Sequence, residues 1–232
     1  MSVFIISAPS GSGKSTLVTE LRKNVPGLEF SISYTTRSPR GSEQNGREYY
    51  FVTREEFERM LSGDEFLEHA QVFGHYYGTH RRFQREADAR GHDLLLDIDV
   101  QGARQMKEKI PEAVSIFVLP PSREELEQRL RRRSQAENMR SEEVIRNRLE
   151  TATREIENYP GYDYILINDR LEQSIDALKA IVLAERLRSL GTPLGTDEQE
   201  IVETAERYRQ AHAGEQLKRV LATFALPASD RR

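Results

Sequence analysis

The apolar run Val3–Ile6 feeds into Ala8-Pro9-Ser10-Gly11-Ser12-Gly13-Lys14-Ser15 and then into a helical pattern with Leu17, Val18 and Leu21 on one face. A strand, a turn of small residues and a helix in that order let successive backbone N–H groups converge on phosphate oxygens with no side chain in the way. The positive end of the helix dipole adds to the attraction. Lys14 is placed to reach the β- and γ-phosphates of a nucleotide, and the Ser15 hydroxyl to ligate Mg2+. The strict pattern has glycine at position 8, where this chain has alanine. Placement between strand and helix, together with Gly13-Lys14-Ser15, favours a nucleotide-binding loop over a plain connecting turn. The loop leaves the reaction open, because GTPases, ATPases and kinases share it.

The strand-then-helix rhythm recurs. Leu94–Ile98 precedes Gln101–Lys109, and Ile116–Leu119 precedes a helix opened by Ser122 with Glu125 three positions on, a capping box. Ile165–Ile167 precedes a helix carrying Leu171, Ile175, Leu178 and Val182. Unbroken apolar strands alternating with helices imply an α/β fold, a parallel sheet buried on both faces and joined by right-handed crossovers. Asp97 and Asp99 stand at the C-terminal end of their run, the edge where such sheets bind ligands, and strand alternation aims both the same way.

From about Ser33 to Arg90 the rhythm breaks. Ser31–Tyr34 and Tyr49–Val52 read as half-buried strands around a Pro/Gly/Asn-rich loop, and Thr53 with Glu56 caps a short helix bearing Phe57, Met60 and Leu61. This is expected to be a small α+β insertion. A second irregular zone, polar and dense in arginine, runs from Arg129 to Arg140, and a helix starts at Ser141-Glu142-Glu143. After Leu190, Gly191–Gly195 reads as a linker. Thr196 with Gln199 then caps a helix bearing Ile201, Ala205 and Tyr208, and Leu217, Val220, Leu221 and Phe224 form a further apolar face. Ser229–Arg232 reads as a disordered charge run. The expected division is a core of 1–32 and 91–189, an insertion of 33–90, and a helical extension of 190–232 that packs on the core, pairs two subunits as a homo-oligomer, or does little of either.

Composition removes several alternatives. At 232 residues the chain can build one core with an inserted subdomain. No apolar run approaches the roughly 20 residues a membrane span needs, and Met1–Ile6 lacks the basic flank of a secretory signal, so a cytoplasmic chain is expected. The absence of cysteine excludes disulfides, thiolate metal sites and thiol catalysis together, and the five histidines show no metal-binding spacing. A net charge of −4 argues against a nucleic-acid binder.

The remaining motifs fall in order along the insertion and the strand after it: Ser33-Tyr34-Thr35-Thr36-Arg37-Ser38-Pro39-Arg40, Asn45-Gly46-Arg47-Glu48-Tyr49, Phe66-Leu67-Glu68, Tyr76-Tyr77-Gly78-Thr79 and Leu96-Asp97-Ile98-Asp99-Val100-Gln101-Gly102. With the phosphate loop they closely resemble guanylate kinase, over about residues 2 to 189. The resemblance implies a P-loop kinase core with a GMP-binding insertion and a lid at about 129–148, with ATP as phosphoryl donor, GMP as acceptor and Mg2+ as cofactor. It implies that Ala8 to Ser15 and Thr16 hold ATP, with Asn168 touching the adenine. Arg37, Arg40, Tyr49 and Tyr77 become the clamp on the GMP phosphate, where arginine's planar fork suits phosphate oxygens. Ser33, Glu68, Thr79 and Asp99 become the guanine readers. Guanine's Watson–Crick edge offers two adjacent N–H donors that one carboxylate can accept, and adenine would leave a buried Glu68 unpaired. Ser15 and Asp97 are the expected metal partners, and Lys14, Arg133 and Arg148 the groups that offset charge on the transferred phosphoryl.

Two local departures from the family pattern stand out. The lid has Arg132 and Ser134 where glycines are usual, with extra residues around Gln135–Met139, and Arg170 follows Asn168-Asp169 where a second acid is common. A basic patch for nucleic acid, or a plain solvated helix face, explains the position of the arginines less well than a lid does. Two rival functions remain to be weighed. A guanylate-kinase-like binding module would dispense with Lys14, Ser15 and Asp97, and a kinase of phosphorylated sugars would have no need of Ser33, Glu68 and Thr79 together.

Overall fold

The structure, a computed structural model, describes residues 1–136 and 142–225. In chain order its elements are β1 (Val3–Ser7), α1 (Lys14–Asn24), β2 (Leu28–Phe30), β3 (Tyr34–Thr35), β4 (Tyr50–Phe51), α2 (Arg54–Ser62), β5 (Phe66–Val72), β6 (His75–His80), α3 (Arg82–Arg90) and β7 (Asp93–Asp97). They continue as α4 (Val100–Lys109), β8 (Val114–Leu119), α5 (Arg123–Ala136), α6 (Glu142–Ile156), β9 (Tyr164–Ile167), α7 (Leu171–Leu190), α8 (Thr196–Glu206) and α9 (Gly214–Phe224). Two compact units result, one of Met1–Ile6 with Val25–Ser115, the other of Ser7–Asn24 with the chain from Ile116 onward. The α/β class follows from parallel strands in both units with helices between them.

In the first unit β7 pairs in parallel with β1 on one side and β2 on the other, Val3 opposite Leu94 and Leu28 opposite Asp93. Phe4, Ile5, Ile6, Leu94, Leu95 and Leu96 are wholly buried, so both faces of these strands are covered and the apolar runs needed no alternation. A second sheet has the order β4-β3-β6-β5. Its β5–β6 hairpin turns at Phe73-Gly74 with φ of 50° and 81°, and two consecutive positive φ values are what a two-residue hairpin turn of matching twist demands. The helix α2 begins where expected, the Thr53 hydroxyl accepting the Glu56 N–H at 3.1 Å, and it lays Phe57 and Met60 on Phe66.

The exposed edge of β5 is covered by side chains of α4. Gln105 donates to the His69 carbonyl at 2.6 Å and accepts its N–H at 3.2 Å, and the Lys109 ammonium reaches the Leu67 carbonyl at 2.5 Å. Polar groups of a helix thus complete the ladder that the edge strand leaves open. Glu68 lies between these two anchored positions.

In the second unit β8 and β9 pair in parallel from Ile116–Tyr164 to Leu119–Ile167. The helix α5 opens with the Ser122 hydroxyl accepting the Glu125 N–H at 3.1 Å. It then runs unbroken through Arg129–Arg133, the stretch expected to be irregular. Arginine is a good helix former, Leu126 and Leu130 are buried one turn apart, and the pairs Glu125–Arg129 (2.9 Å) and Glu127–Arg131 (2.8 Å) lie at the helical spacing of four. Of the expected lid and its extra residues, 137–141 lie outside the described residues, as does the charge run Ser229–Arg232.

The extension packs on its own unit. On the side of β9 away from β8, the Ile165 N–H donates to the Tyr208 carbonyl at 2.8 Å and the Gln210 N–H to the Asp163 carbonyl at 2.9 Å, so residues 208–210 pair antiparallel with the strand. The buried Tyr164 hydroxyl donates to Glu185 at 2.5 Å, and Glu185 also takes Arg188 (2.5 Å) and Arg209 (2.8 Å). Arg188 bonds Glu206 as well, and the Arg209 guanidinium lies 4.4 Å over the Tyr164 ring. Leu217, Val220 and Phe224 of α9 are buried, and Thr223 accepts the Arg123 N–H at the start of α5 (3.0 Å). One cap differs from expectation: α8 is opened by Gly195, whose N–H donates to Glu198 at 2.8 Å, which leaves Thr196 as the first helical residue. Tyr208 therefore lies past the helix end.

Candidate functional site

The phosphate loop lies in the second unit. Gly11 and Gly13 take φ of +92° and +89°, which L side chains rarely adopt, and the Ser12 N–H donates to the Pro9 carbonyl at 3.1 Å to close the turn. Ala8 has no positive φ, since Asp64 and Phe73 are the non-glycine described residues that do; its methyl is therefore without backbone strain. Lys14, Ser15 and Thr16 form the first turn of α1, the positive end of the helix dipole. The Ser12 hydroxyl is buried with no hydrogen-bond partner among the described residues.

Two side chains hold this loop from outside. Asn168, 6% exposed, donates through Nδ2 to the Ser12 carbonyl at 2.8 Å. Arg129 bonds the same carbonyl at 3.4 Å and the Asn168 carbonyl at 3.2 Å, while its Nε donates to Glu125 at 2.9 Å. A Cβ on Gly13 would collide with Asn168 Nδ2, and one on Gly11 would press on Leu126 and Leu130. Asn168, expected at the adenine, spends its amide on the loop's own backbone. Sequence reading gave no hint of this contact, because it depends on β9 ending beside the loop. Of the expected lid arginines, Arg133 is exposed on α5, and Arg148 on α6 donates to the Ser134 hydroxyl at 3.3 Å.

The first unit gathers the other expected residues. Glu68, 3% exposed on β5, accepts the Thr79 hydroxyl of β6 at 2.6 Å. Burial pushes its carboxyl up to about 7; the Thr79 hydroxyl opposes the shift and the nearby Asp99 adds to it. Gly102 faces this carboxylate, and a Cβ there would overlap it, so a bare helix turn is required at that spot. Asp99 is not a strand residue, contrary to the alternation argument. The strand β7 ends at Asp97, and Asp99 is the N-cap of α4, its carboxylate accepting the Gly102 N–H at 2.8 Å. Capping, and not the pleat, decides where it points.

Three of the residues expected to clamp the phosphate, Arg37, Tyr49 and Tyr77, come together. The Arg37 guanidinium, 6% exposed, lies 5.2 Å over the Tyr49 ring, and the Tyr49 and Tyr77 rings meet edge to face at 5.9 Å. Burial pushes the Tyr49 hydroxyl up to about 12, helped by the Asp97 and Tyr77 groups near it. Sequence reading passed over one participant. Glu43 accepts both Arg37 Nη1 (2.8 Å) and Nη2 (3.0 Å), and takes the Arg40 N–H at 2.8 Å. Ser33 lies just before β3, its carbonyl accepting the Tyr50 N–H at 2.9 Å. Ser15, in the first turn of α1, carries a hydroxyl and Asp97, at the end of β7, a carboxylate, each a hard oxygen donor of the kind divalent cations take. No cluster of three or more His, Cys, Asp or Glu is found among the described residues to suggest a different metal, and no helix among them is long and apolar enough to cross a membrane.

The family model described as guanylate kinase matches residues 1–185. A curated guanylate kinase of Koribacter versatilis is 60% identical over 222 residues, covering 96% of this chain and 95% of that one. The guanylate kinase of Escherichia coli K12 is 50% identical over 188 residues, 80% of this chain and 89% of that one. Among solved structures, guanylate kinase from Anaplasma phagocytophilum matches with a TM-score of 0.64 at 36% identity, covering 79% of this chain and 85% of that one.

Proposed function

The chain belongs to the guanylate kinase family, and from that premise we propose how its residues divide the transfer of a phosphoryl group from ATP to GMP. The observation that carries the acceptor's identity is the buried Glu68 carboxylate, hydrogen-bonded by Thr79 and faced by a glycine. A buried carboxylate is costly unless donors satisfy it, and guanine's adjacent N1–H and N2–H are such donors. Thr79, Ser33 and Asp99 complete the reading of the base. Arg37, Arg40, Tyr49 and Tyr77 hold the phosphate, and residues 33–90 are the GMP-binding subdomain.

In the donor site Ala8 to Thr16 wrap the triphosphate of ATP, with the Lys14 ammonium on the β- and γ-phosphates, and the Ser15 hydroxyl would help to hold Mg2+. Asp97 at the end of β7 would be that metal's carboxylate partner. When bound, Mg2+ neutralises charge on the β- and γ-phosphate oxygens. The acceptor oxygen is already anionic, so no general base is needed, and alignment with charge neutralisation supplies the catalysis. Arg133 and Arg148 add positive charge at the transferred group, and the stretch 129–148 serves as the lid that keeps water from competing for it. Lys14, Ser15 and Asp97 are all kept, which counts against a binding module. The set Ser33, Glu68 and Thr79 counts against a sugar kinase.

Glu68→Gln tests the reading. The amide presents one donor where guanine also presents donors, so KM for GMP is expected to rise at least about 100-fold while ATP binding stays within twofold. Equal loss for both nucleotides would contradict the assignment.

A further inference from the structure

Arg37 is pinned from several sides. Its backbone N–H donates to the Thr35 hydroxyl at 3.2 Å, its guanidinium lies over the Tyr49 and Phe51 rings at 5.2 and 5.7 Å, and Nη1 donates to the Ser38 carbonyl at 2.7 Å. A guanidinium has two bidentate edges, an end-on edge formed by Nη1 and Nη2 and a side-on edge formed by Nε and Nη2. Glu43 occupies the end-on edge with both carboxylate oxygens, at 2.8 and 3.0 Å. On the side-on edge, the buried Nε has no hydrogen-bond partner among the described residues. An unsatisfied buried N–H is expensive; on the same edge the second Nη2 N–H lies on the side of the Tyr77 hydroxyl, another member of the clamp.

Glu43 is itself built in. Its N–H donates to the Arg40 carbonyl at 3.0 Å, and its Oε2 accepts the Arg40 N–H at 2.8 Å in addition to Nη1 of Arg37. Burial opposes its charge, yet the hydrogen bonds from Arg37 and the Arg40 N–H hold its carboxyl below the ordinary range. The loop that carries both arginines is therefore folded around one carboxylate.

We propose that Glu43 is a positioning residue for the acceptor phosphate: it grips the end-on edge of Arg37 and so presents the side-on edge, Nε and Nη2, to the phosphate of GMP. This rests on the assignment of Arg37 to the phosphate clamp. The carboxylate does not touch the phosphate and does not compete with it, since the two anions use different edges of one cation. It also fixes Arg40 at the backbone, so both clamp arginines take their placement from it.

The test is a set of variants, Glu43→Gln, Glu43→Asp and Arg37→Met, read by steady-state kinetics in GMP and in ATP and by calorimetric binding of GMP and of guanosine. Glu43→Gln keeps the volume but places an amide N–H against a guanidinium N–H. It is expected to raise KM for GMP about tenfold, with kcat and KM for ATP within twofold and guanosine affinity unchanged. Glu43→Asp, too short to span both Nη atoms, should lose GMP affinity to a similar degree. A fall in KM for GMP in Glu43→Gln would show a competing anion and overturn the proposal, as would an unchanged value or equal loss of guanosine and GMP. Arg37→Met separates the two assignments: if it leaves GMP binding intact, the clamp reading fails; if it weakens GMP while both Glu43 variants do not, the clamp stands and the positioning role falls. Should Glu43→Gln fold poorly, Glu43→Asp carries the same comparison.

Discussion

Glu68 is expected to make the unliganded protein less stable as the pH rises, and Glu68→Gln to remove that loss. Its carboxyl is raised by burial from the usual 4.5 to about 7. The folded value lies above the unfolded one, so this group's contribution is intact below pH 4.5 and declines as the pH climbs through the window to about 7, beyond which the loss is complete. At about 1.4 kcal/mol per pH unit, the difference between pH 5 and pH 8 is about 2 to 3 kcal/mol. Urea unfolding of both proteins at the two pH values isolates it, because every other titrating group is common to the pair. The wild type is expected to lose that much relative to Glu68→Gln on going from pH 5 to pH 8. Parallel pH dependence, or a wild type that gains, would refute the reasoning. Binding should show the same titration: guanosine, which lacks the phosphate's own ionisation, should bind the wild type more tightly as the pH rises through 7, because the ionised carboxylate accepts guanine's donors.

Two further outcomes are expected. Gly13→Ala forces a side chain into φ +89° and against Asn168, so about 2 kcal/mol of stability and more than tenfold in ATP affinity should be lost while GMP still binds; undiminished ATP affinity in a titration would contradict the loop geometry. Glu185→Ala leaves the Tyr164 hydroxyl, Arg188 and Arg209 short of their common acceptor, and should cost about 2 kcal/mol in urea unfolding with kcat unchanged, whereas no loss would show that the extension is held by its apolar contacts alone.

How much of this could be read from the sequence depends on whether each feature is local. The strand–loop–helix at Val3–Asn24 was legible because glycine permissiveness, a lysine and an apolar run are all contiguous. Thr53 and Ser122 were legible as caps, since a cap acts within four residues. The hairpin β5–β6 carries no turn signal in the sequence: its turn, Phe73-Gly74, puts a bulky residue at φ 50°, a place where Asn or Asp is the usual mark of such a turn. Arg129–Arg133 misled by charge density, although Glu125 and Glu127 four residues earlier carried the helical signal. Asp99 misled because an alternation argument holds only while the strand lasts, and β7 stops at Asp97. Glu43 and the Asn168–Ser12 contact had no sequence signal, since each is defined by what the folded chain brings beside it. The placement of the extension on β9 was open for the same reason.

The most direct measurement of the central claim is ADP formation by the full chain with ATP and Mg2+, with GMP, AMP, CMP or UMP as acceptor or with none. GMP is expected to give rapid turnover with GDP formed in equal amount, and the other acceptors and the acceptor-free reaction rates at least about 100-fold lower. No turnover with GMP, or AMP used as readily, would contradict the account.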